Sequence, residues 1–322
     1  MKLSVFFVVL PTPGLLDFAG FAETLHVANQ YGGEFSLHYI GPESSTTSSV
    51  GIRLSGIMPL PDALPDNAIV VIGDVADWDG NLSTSFALET AEWLARTLRQ
   101  EHKICTICSG AFLAAKAGLL DGRECTCHYE VAGILAKQYP SLKVLENRVF
   151  VIDGPVMSCA GVTSGIDLAL HLVSETAGPV CAADTAQALV IYTRRAGNDP
   201  QRSPWLAGRN HLHPLVHRAQ DIVIKDFARA WTVKTLADYV HTSARNLSRL
   251  FREHTDSSVL GYLHRIRIAK AKQLLEHTTL NLEHVAEAVG FGSSHQLRRV
   301  WRKFEPNTPG ALTKARVSAA VS

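Results

Sequence analysis

Two stretches in the last hundred residues repeat each other, and the repeat limits what this chain can fold into. Leu236-Ala237-Asp238-Tyr239-Val240 matches Val285-Ala286-Glu287-Ala288-Val289 at an offset of 49. Ser243, Leu247, Arg249, Phe251 and Arg252 match Ser293, Leu297, Arg299, Trp301 and Arg302 at an offset of 50, so the second copy carries one extra residue, at Gly290-Phe291-Gly292. Each copy must then be the same supersecondary unit. Each reads as a short helix, a turn, and a second helix opening on serine, whose hydroxyl accepts a free backbone N–H. Leu247, Leu250 and Phe251 recur at helical spacing and face a core, as do Leu297, Val300 and Trp301. That leaves Arg245, Ser248, Arg249 and Arg252 outside in the first copy. Ser294, His295, Gln296, Arg298, Arg299 and Arg302 are outside in the second. These side chains are of the types that reach base edges and phosphates.

Between the copies, Val259–His277 reads as an apolar-striped helix spanning roughly 28 Å. One turn of DNA is about 34 Å. A spacer of that order presents two recognition helices to successive major grooves on one face of DNA. The simpler reading is a helical bundle with a solvated cationic face. The charge balance argues against it. Residues 1–208 hold 13 Lys+Arg and 21 Asp+Glu, a net −8, whereas residues 209–322 hold 18 and 9, a net +9. A basic segment joined to an acidic one points to a polyanion-binding module beside a module with another task.

The 322 residues allow two or three domains, and 46 % hydrophobic residues supply ordinary globular cores. All six cysteines fall in the acidic part. A chain of this size needs no disulfide framework, so reduced thiols in a cytoplasmic protein are expected. The apolar run Leu3–Leu10 leads into Pro11-Thr12-Pro13-Gly14 without a small-residue cleavage pattern, which argues against a signal peptide. No stretch has the length of a transmembrane helix, so no membrane partner is expected.

Residues 1–193 alternate between strands and helices. Leu3–Leu10, Phe35–Ile40, Ala68–Ile72 and Lys103–Cys108 read as strands, and Val149–Ile152 with Val156–Cys159 as a hairpin through Asp153-Gly154-Pro155. Leu16–Gln30, Ser83–Gln100, Gly110–Leu119, Thr163–Thr176 and Pro179–Tyr192 read as helices. Apolar strands between helices predict an α/β, doubly wound, mostly parallel sheet. Arg195-Ala196-Gly197-Asn198-Asp199-Pro200 and Arg202-Ser203-Pro204-Trp205 change the composition. The expected organisation is an α/β domain over 1–194, a linker over 195–213, an all-α domain with two helix-turn-helix motifs over 214–317, and a tail over 318–322.

The sharpest chemical feature of the acidic half is Ile104-Cys105-Thr106-Ile107-Cys108-Ser109-Gly110-Ala111. A strand ends, a cysteine occupies the turn, and a helix begins, as in a nucleophile elbow. At a helix N-terminus the macrodipole is expected to lower the pKa of the Cys108 thiol. The N–H of Ser109 is a candidate oxyanion donor, with a second near Gly73-Asp74. Asp17, Glu23 and His128 are the candidate bases. Each has a plainer reading: Cys108 as a small buried turn residue, Asp17 as a helix cap, His128 as a loop histidine. Cys105–Cys108 with Cys125–Cys127 makes a poor zinc set, because one pair falls inside a strand and the other has a single intervening residue. Neither a metal nor a cofactor is expected.

Both halves resemble known families. Val285-Ala286, Val289-Gly290-Phe291-Gly292-Ser293, Leu297-Arg298-Arg299, Phe304 and Thr308-Pro309 resemble the signature of AraC/XylS-type regulators, over about Pro214–Lys314. The resemblance implies a seven-helix, two-motif domain acting on promoter DNA. By position, Arg245, Ser248 and Arg249 correspond to its first recognition helix, and Ser294, His295, Gln296 and Arg299 to its second. Pro306 stands where the family usually has Gly, and Leu312-Thr313 where it has an aromatic–Arg pair. In the acidic half, Pro13-Gly14-Leu15-Leu16-Asp17-Phe18-Ala19-Gly20, Ile107-Cys108-Ser109-Gly110-Ala111-Phe112, Cys127-His128-Tyr129 and Cys159-Ala160-Gly161-Val162-Thr163 resemble the class I glutamine amidotransferase-like (PfpI-type) fold, which is flavodoxin-like. Joined ahead of an AraC-type domain, it is similar to the GlxA group of regulators. That resemblance implies a non-catalytic domain that binds a small nitrogen-containing effector. Ser109 stands where PfpI-type peptidases have His, and the family's oxyanion Gly-Gly pair is Gly73-Asp74 here. Asp17 and Cys108 match the acid and thiol of isonitrile-hydrating relatives.

The expectation is therefore an effector-responsive, DNA-binding transcriptional regulator rather than an enzyme. Its effector site comprises Asp17, Gly73, Asp74, Cys108, Ser109 and His128. It is expected to pair as a homodimer, with RNA polymerase a further candidate partner. The alternative is a cysteine-dependent hydratase or hydrolase, with Cys108 as nucleophile, fused to a DNA-binding domain.

Overall fold

The computed structural model describes residues 2–74, 82, 84–192, 194–203, 205, 207–305 and 307–312. Ser83, Pro306, and the chain from 313 onward, with Thr313 and the expected 318–322 tail, lie outside these residues. The chain divides into two compact units, Met1–Gln201 and Arg202–Ser322.

The first unit runs β1 (Leu3–Val8), α1 (Leu15–Ala28), β2 (Phe35–Ile40), β3 (Ser45–Thr47), β4 (Arg53–Ser55), β5 (Ile69–Ile72), α2 (Ser85–Thr97), β6 (Lys103–Ile107) and α3 (Gly110–Lys116). It continues with β7 (Glu124–Cys125), α4 (Ala132–Gln138), β8 (Lys143–Val144), β9 (Phe150–Asp153), β10 (Val156–Cys159) and α5 (Ser164–Ala188). The main sheet has the order β2-β1-β5-β6-β10-β9. All its pairings are parallel except the β9–β10 hairpin, whose register sets Val156 against Asp153. Period-2 alternation gives the sheet two apolar faces. Val5, Phe7, Ile69, Val71, Cys105 and Ile107 meet α1 and α5. Phe6, Val8, Val70, Ile72 and Ile104 meet α2, α3 and α4. Burial on both faces is why these strands read as continuous apolar runs.

The differences from the sequence reading are local. The first strand stops at Val8, two residues short of Leu10 and ahead of Pro11, which has no N–H for a ladder. Helix α2 starts at Ser85 because the Thr84 hydroxyl accepts from Ala87 N at 3.3 Å. The helices expected over 163–176 and 179–192 form α5, broken at Gly178, with φ 90° and ψ 161°, just before Pro179. Strands β3, β4, β7 and β8 and helix α4 are short and carry no strong periodicity, and the sequence reading did not include them.

The described residues of the second unit form helices and turns: α6 (Pro214–Lys225), α7 (Val233–Tyr239), α8 (Ala244–Thr255), α9 (Val259–His277), α10 (Leu282–Ala288) and α11 (Ser294–Trp301). Both serines of the repeat cap their helices, Ser243 accepting from Asn246 N and Ser293 from Gln296 N. There are two small cores. One gathers α6, α7, α8 and the first half of α9 around Phe251 and Tyr262, and the other gathers the second half of α9 with α10 and α11 around Trp301. The stretch 195–213, expected as a linker, is divided between the two units. Residues 195–201 pack on the first unit, where Val149 N donates to Gly197 O at 3.1 Å. Gly208 packs against Thr255 of the second unit, and its carbonyl accepts from Gln220 Nε2 at 2.8 Å. Among the described residues, no helix is long and apolar enough to cross a membrane, and no group of three His, Cys, Asp or Glu side chains is placed to hold a metal ion.

Candidate functional site

The helices that open on Ser243 and Ser293 carry the proposed DNA-reading residues. On α8, Arg245 and Arg249 are exposed and Ser248 is half-buried, while Leu247, Leu250 and Phe251 hold the helix to its core. Arg249 reaches Glu253 at 2.7 Å and Asn246 at 3.1 Å along its own helix. The Ser248 hydroxyl donates to Ala244 O at 2.8 Å. On α11, His295 and Arg299 are exposed, with Arg298 and Arg302 beside them. Gln296 folds back, its Oε1 accepting from Gly292 N at 2.9 Å. The Ser294 hydroxyl first, and then its N–H, which donates at 3.2 Å, draw the Glu283 carboxyl below its usual range. Glu283 braces the start of α11, and the sequence reading missed it; the first copy has Lys234 at the matching position, so the repeat carries no signal for this contact.

In the first unit, Asp17 follows β1, Asp74 follows β5 and Cys108 follows β6. All three lie at the carboxyl ends of parallel strands, where the order turns from β2-β1 to β5-β6. Open α/β sheets place ligand crevices at such a point. Cys108 has φ 55°, the strained backbone of an elbow. The strain is held by packing. A Cβ on Gly110 would come within 2.4 Å of Ile72 O, and one on Gly161 within 2.3 Å of Cys108 Cβ. Glycine at both positions lets the turn seat between strands.

The structure brings five of the six expected effector residues together. Ser109 Oγ donates to Asp74 Oδ1. Asp17 Oδ1 accepts from Val162 N. A Cβ on Gly14 would stand 2.7 Å from Asp17 Oδ2 and 3.1 Å from Asp74 Oδ2, so one backbone position touches both carboxylates. Gly73 lies next to them, its carbonyl packed on Gly110. Asp17 is 6 %, Asp74 8 %, Cys108 1 % and Ser109 0 % exposed.

This burial reverses one expectation. The Cys108 thiol is pushed up, not down, by desolvation first and then by the Asp74 and Asp17 charges, and the hydrogen bond from Ser109 N offsets only part of this. That same N–H, the expected oxyanion donor, is directed at the sulfur. Asp17 is raised to about 6 by burial, against the Val162 hydrogen bond, with Asp74 adding repulsion. A thiol between two buried carboxylates is held protonated, and proton exchange falls to Asp17.

His128 is not among these contacts. It lines a cleft of about 120 Å³ together with Tyr129, Gly161, Thr163, Arg195 and Gln201. Its ring packs on Tyr129 at 4.5 Å, and its Nδ1 accepts from Glu130 N at 3.4 Å. Arg195 is set by Asp167, through Nε at 2.8 Å and the backbone N at 2.9 Å, and also reaches Thr163. Gln201 bridges the Tyr129 N–H and the Cys127 carbonyl, both at 2.8 Å. Gly161 belongs to both places, since it lines the cleft and packs on Cys108 and Asp17. The sequence reading missed Gly161, Arg195 and Gln201. Glu23, a candidate base, is exposed on α1.

Comparison with known proteins agrees with both halves. A family model described as DJ-1/PfpI family matches residues 17–175, and one described as a helix-turn-helix domain matches residues 236–315. The HTH-type transcriptional regulator CdhR of Pseudomonas aeruginosa is 30 % identical over 308 residues, 94 % of this chain and 89 % of that protein. The HTH-type transcriptional regulator GlxA of Rhizobium meliloti is 28 % identical over 313 residues, covering 96 % and 94 %. An isonitrile hydratase of Pseudomonas putida is 26 % identical over 202 residues, 62 % of this chain and 82 % of that enzyme. The crystal structure of a THiJ/PfpI family protein from Pseudomonas syringae shares the fold, with a TM-score of 0.52 at 20 % identity over 70 % of this chain and 87 % of its own. The chain thus belongs to the HTH-type transcriptional regulators that join a DJ-1/PfpI domain to a C-terminal, AraC-type helix-turn-helix domain.

Proposed function

We propose that this regulator is switched by a small effector bound in its first unit, and that Cys108 packs there rather than reacts. The observation that carries the reading is Gly161, which lines the His128 cleft and packs on Cys108 and Asp17. In this reading His128 touches the effector. Asp17, Gly73, Asp74, Cys108 and Ser109 form the wall behind it. Negative charge in that wall favours a cationic or amine-bearing metabolite. Occupancy shifts the population of domain or dimer arrangements, and with it the engagement of promoter DNA by Arg245, Ser248, Arg249, Ser294, His295, Gln296 and Arg299. The protein acts in the cytoplasm as a homodimer, with RNA polymerase as a further partner. The test is thermal unfolding of the full chain, with DNA affinity measured alongside, against a panel of amino acids and quaternary amines. A compound that raises the melting temperature and changes DNA affinity supports the reading. A panel that moves neither defeats it.

A hydratase reading has one observation in its favour, the retention of Asp17 and of Cys108 on a strained elbow. Cys108→Ala separates the two. A turnover of isonitrile that the substitution abolishes establishes the enzyme. A mutant that still responds to effector, in a protein with no turnover, establishes the sensor.

A further inference from the structure

The two helix-turn-helix halves have separate cores, and α9 serves both. Tyr262, Leu263 and Ile266 face the first core, and Ile268, Ala271 and Leu275 the second. The division falls at Arg267, a cation only 5 % exposed. Its Nε donates to Phe227 O at 2.8 Å and its Nη2 to Arg229 O at 2.7 Å, while its guanidinium carbon lies 5.5 Å from the centre of the Phe291 ring. Phe227 and Arg229 lie in the segment between α6 and α7, in the first half. Phe291 lies in the turn of the second. Phe227 also packs against both cores.

The turns of the repeat show why one of them needs glycine. His241 and Gly290 occupy matching positions, and both have left-handed backbone, with φ 56° and 84°. The first turn tolerates a side chain there. The second does not, because a Cβ on Gly290 would stand 2.2 Å from Ala228 O. The glycine is required by the other half of the domain rather than by its own turn.

We infer that Arg267 and Gly290 lock the segment 227–229 of the first half against the turn of the second, and so set the distance and angle between the two recognition helices. Arg267 is a positioning residue that touches no base. Its two carbonyl bonds and its packing on Phe291 hold the halves in one arrangement, so the domain reads two DNA boxes at a single spacing. The inference rests on the reading that α8 and α11 both contact DNA.

The test uses the full-length protein and a library of random duplex DNA. The wild type should select two boxes at one fixed spacing. Arg267→Gln should select the same two boxes over a wider range of spacings. Its affinity for the wild-type site should fall by about tenfold as the second contact loses effective concentration, while its affinity for either box alone stays unchanged. Gly290→Ala, which acts on the other side of the lock and keeps Arg267, should broaden the spacing in the same way. It decides the matter if Arg267→Gln does not fold. A wild type that selects only one box defeats the assumption that both helices read DNA, and the lock with it. A wild type that selects two boxes at variable spacing, or a Gly290→Ala protein that keeps a single spacing, overturns the lock alone.

Discussion

Replacing Asp17 by Asn should stabilise the first unit, and by an amount that depends on pH. Asp17 is 6 % exposed beside Asp74, and its carboxyl is raised to about 6 from an ordinary value of 3.8. The folded state therefore holds this proton more tightly than the unfolded chain does. The stabilisation from that proton is complete below the unfolded pKa and is lost as pH rises through the folded one. A shift of this size corresponds to about 3 kcal/mol at pH 7.5 and about half of that at pH 5. Asparagine keeps an oxygen for the Val162 N–H and carries no charge to bury. The Asn variant should exceed the wild type by up to that amount at pH 7.5, with the difference shrinking at pH 5 and vanishing only below the unfolded value of 3.8. Urea unfolding of the full chain, with the transition of the first unit followed through the exposure of its buried cysteine thiols, all six of which lie in that unit, measures this directly. Equal stability of the two proteins at pH 7.5, or a difference that does not change between pH 7.5 and 5, refutes the claim that Asp17 is ionised against its surroundings.

Other outcomes can be checked. Gly161→Ala places a methyl 2.3 Å from Cys108 Cβ on backbone at φ 89°, and strain with overpacking should cost about 3 kcal/mol or more in chemical denaturation. Burial lowers the pKa of His211, and so does the repulsion of His217, His254 and His213 around it. A depressed histidine stabilises in its neutral form, so the second unit should lose stability as pH falls below about 6.5, and His211→Gln should flatten the melting temperature between pH 7.5 and 5.5. Arg249→Ala and Arg299→Ala should each weaken specific DNA binding by roughly 1–3 kcal/mol if they read bases; unchanged binding in both would remove them from the interface. DNA affinity should also fall steeply with added salt, with a shallower slope in any variant that loses a phosphate contact.

The local physics of this protein is legible in its sequence. Strand periodicity, the serine caps at 243 and 293, the turn at Gly290 and the strand-to-helix passage at Cys108 each depend on residues within a few positions of one another. Each appears in the structure with small shifts of boundary. The elbow was legible as backbone, but the state of its thiol was not. A helix start next to a cysteine argues for a lowered pKa when only neighbours in sequence are weighed. The opposite shift comes from Asp17 and Asp74, 91 and 34 residues away, which the sheet order brings to the same end of the barrelless, open sheet. His128 is a candidate base for Cys108 in the sequence, and the structure gives it a cleft shared through Gly161.

By itself the sequence determined that the chain has two units, that the first alternates strand and helix, and that the second repeats one motif. Those properties follow from period, capping and charge, which act along the chain. Tertiary structure alone decided which side chains share a site and which glycines are obligatory. Desolvation, carboxylate repulsion and the approach of Ala228 O to Gly290 are contacts between segments distant in sequence, and no local pattern records them.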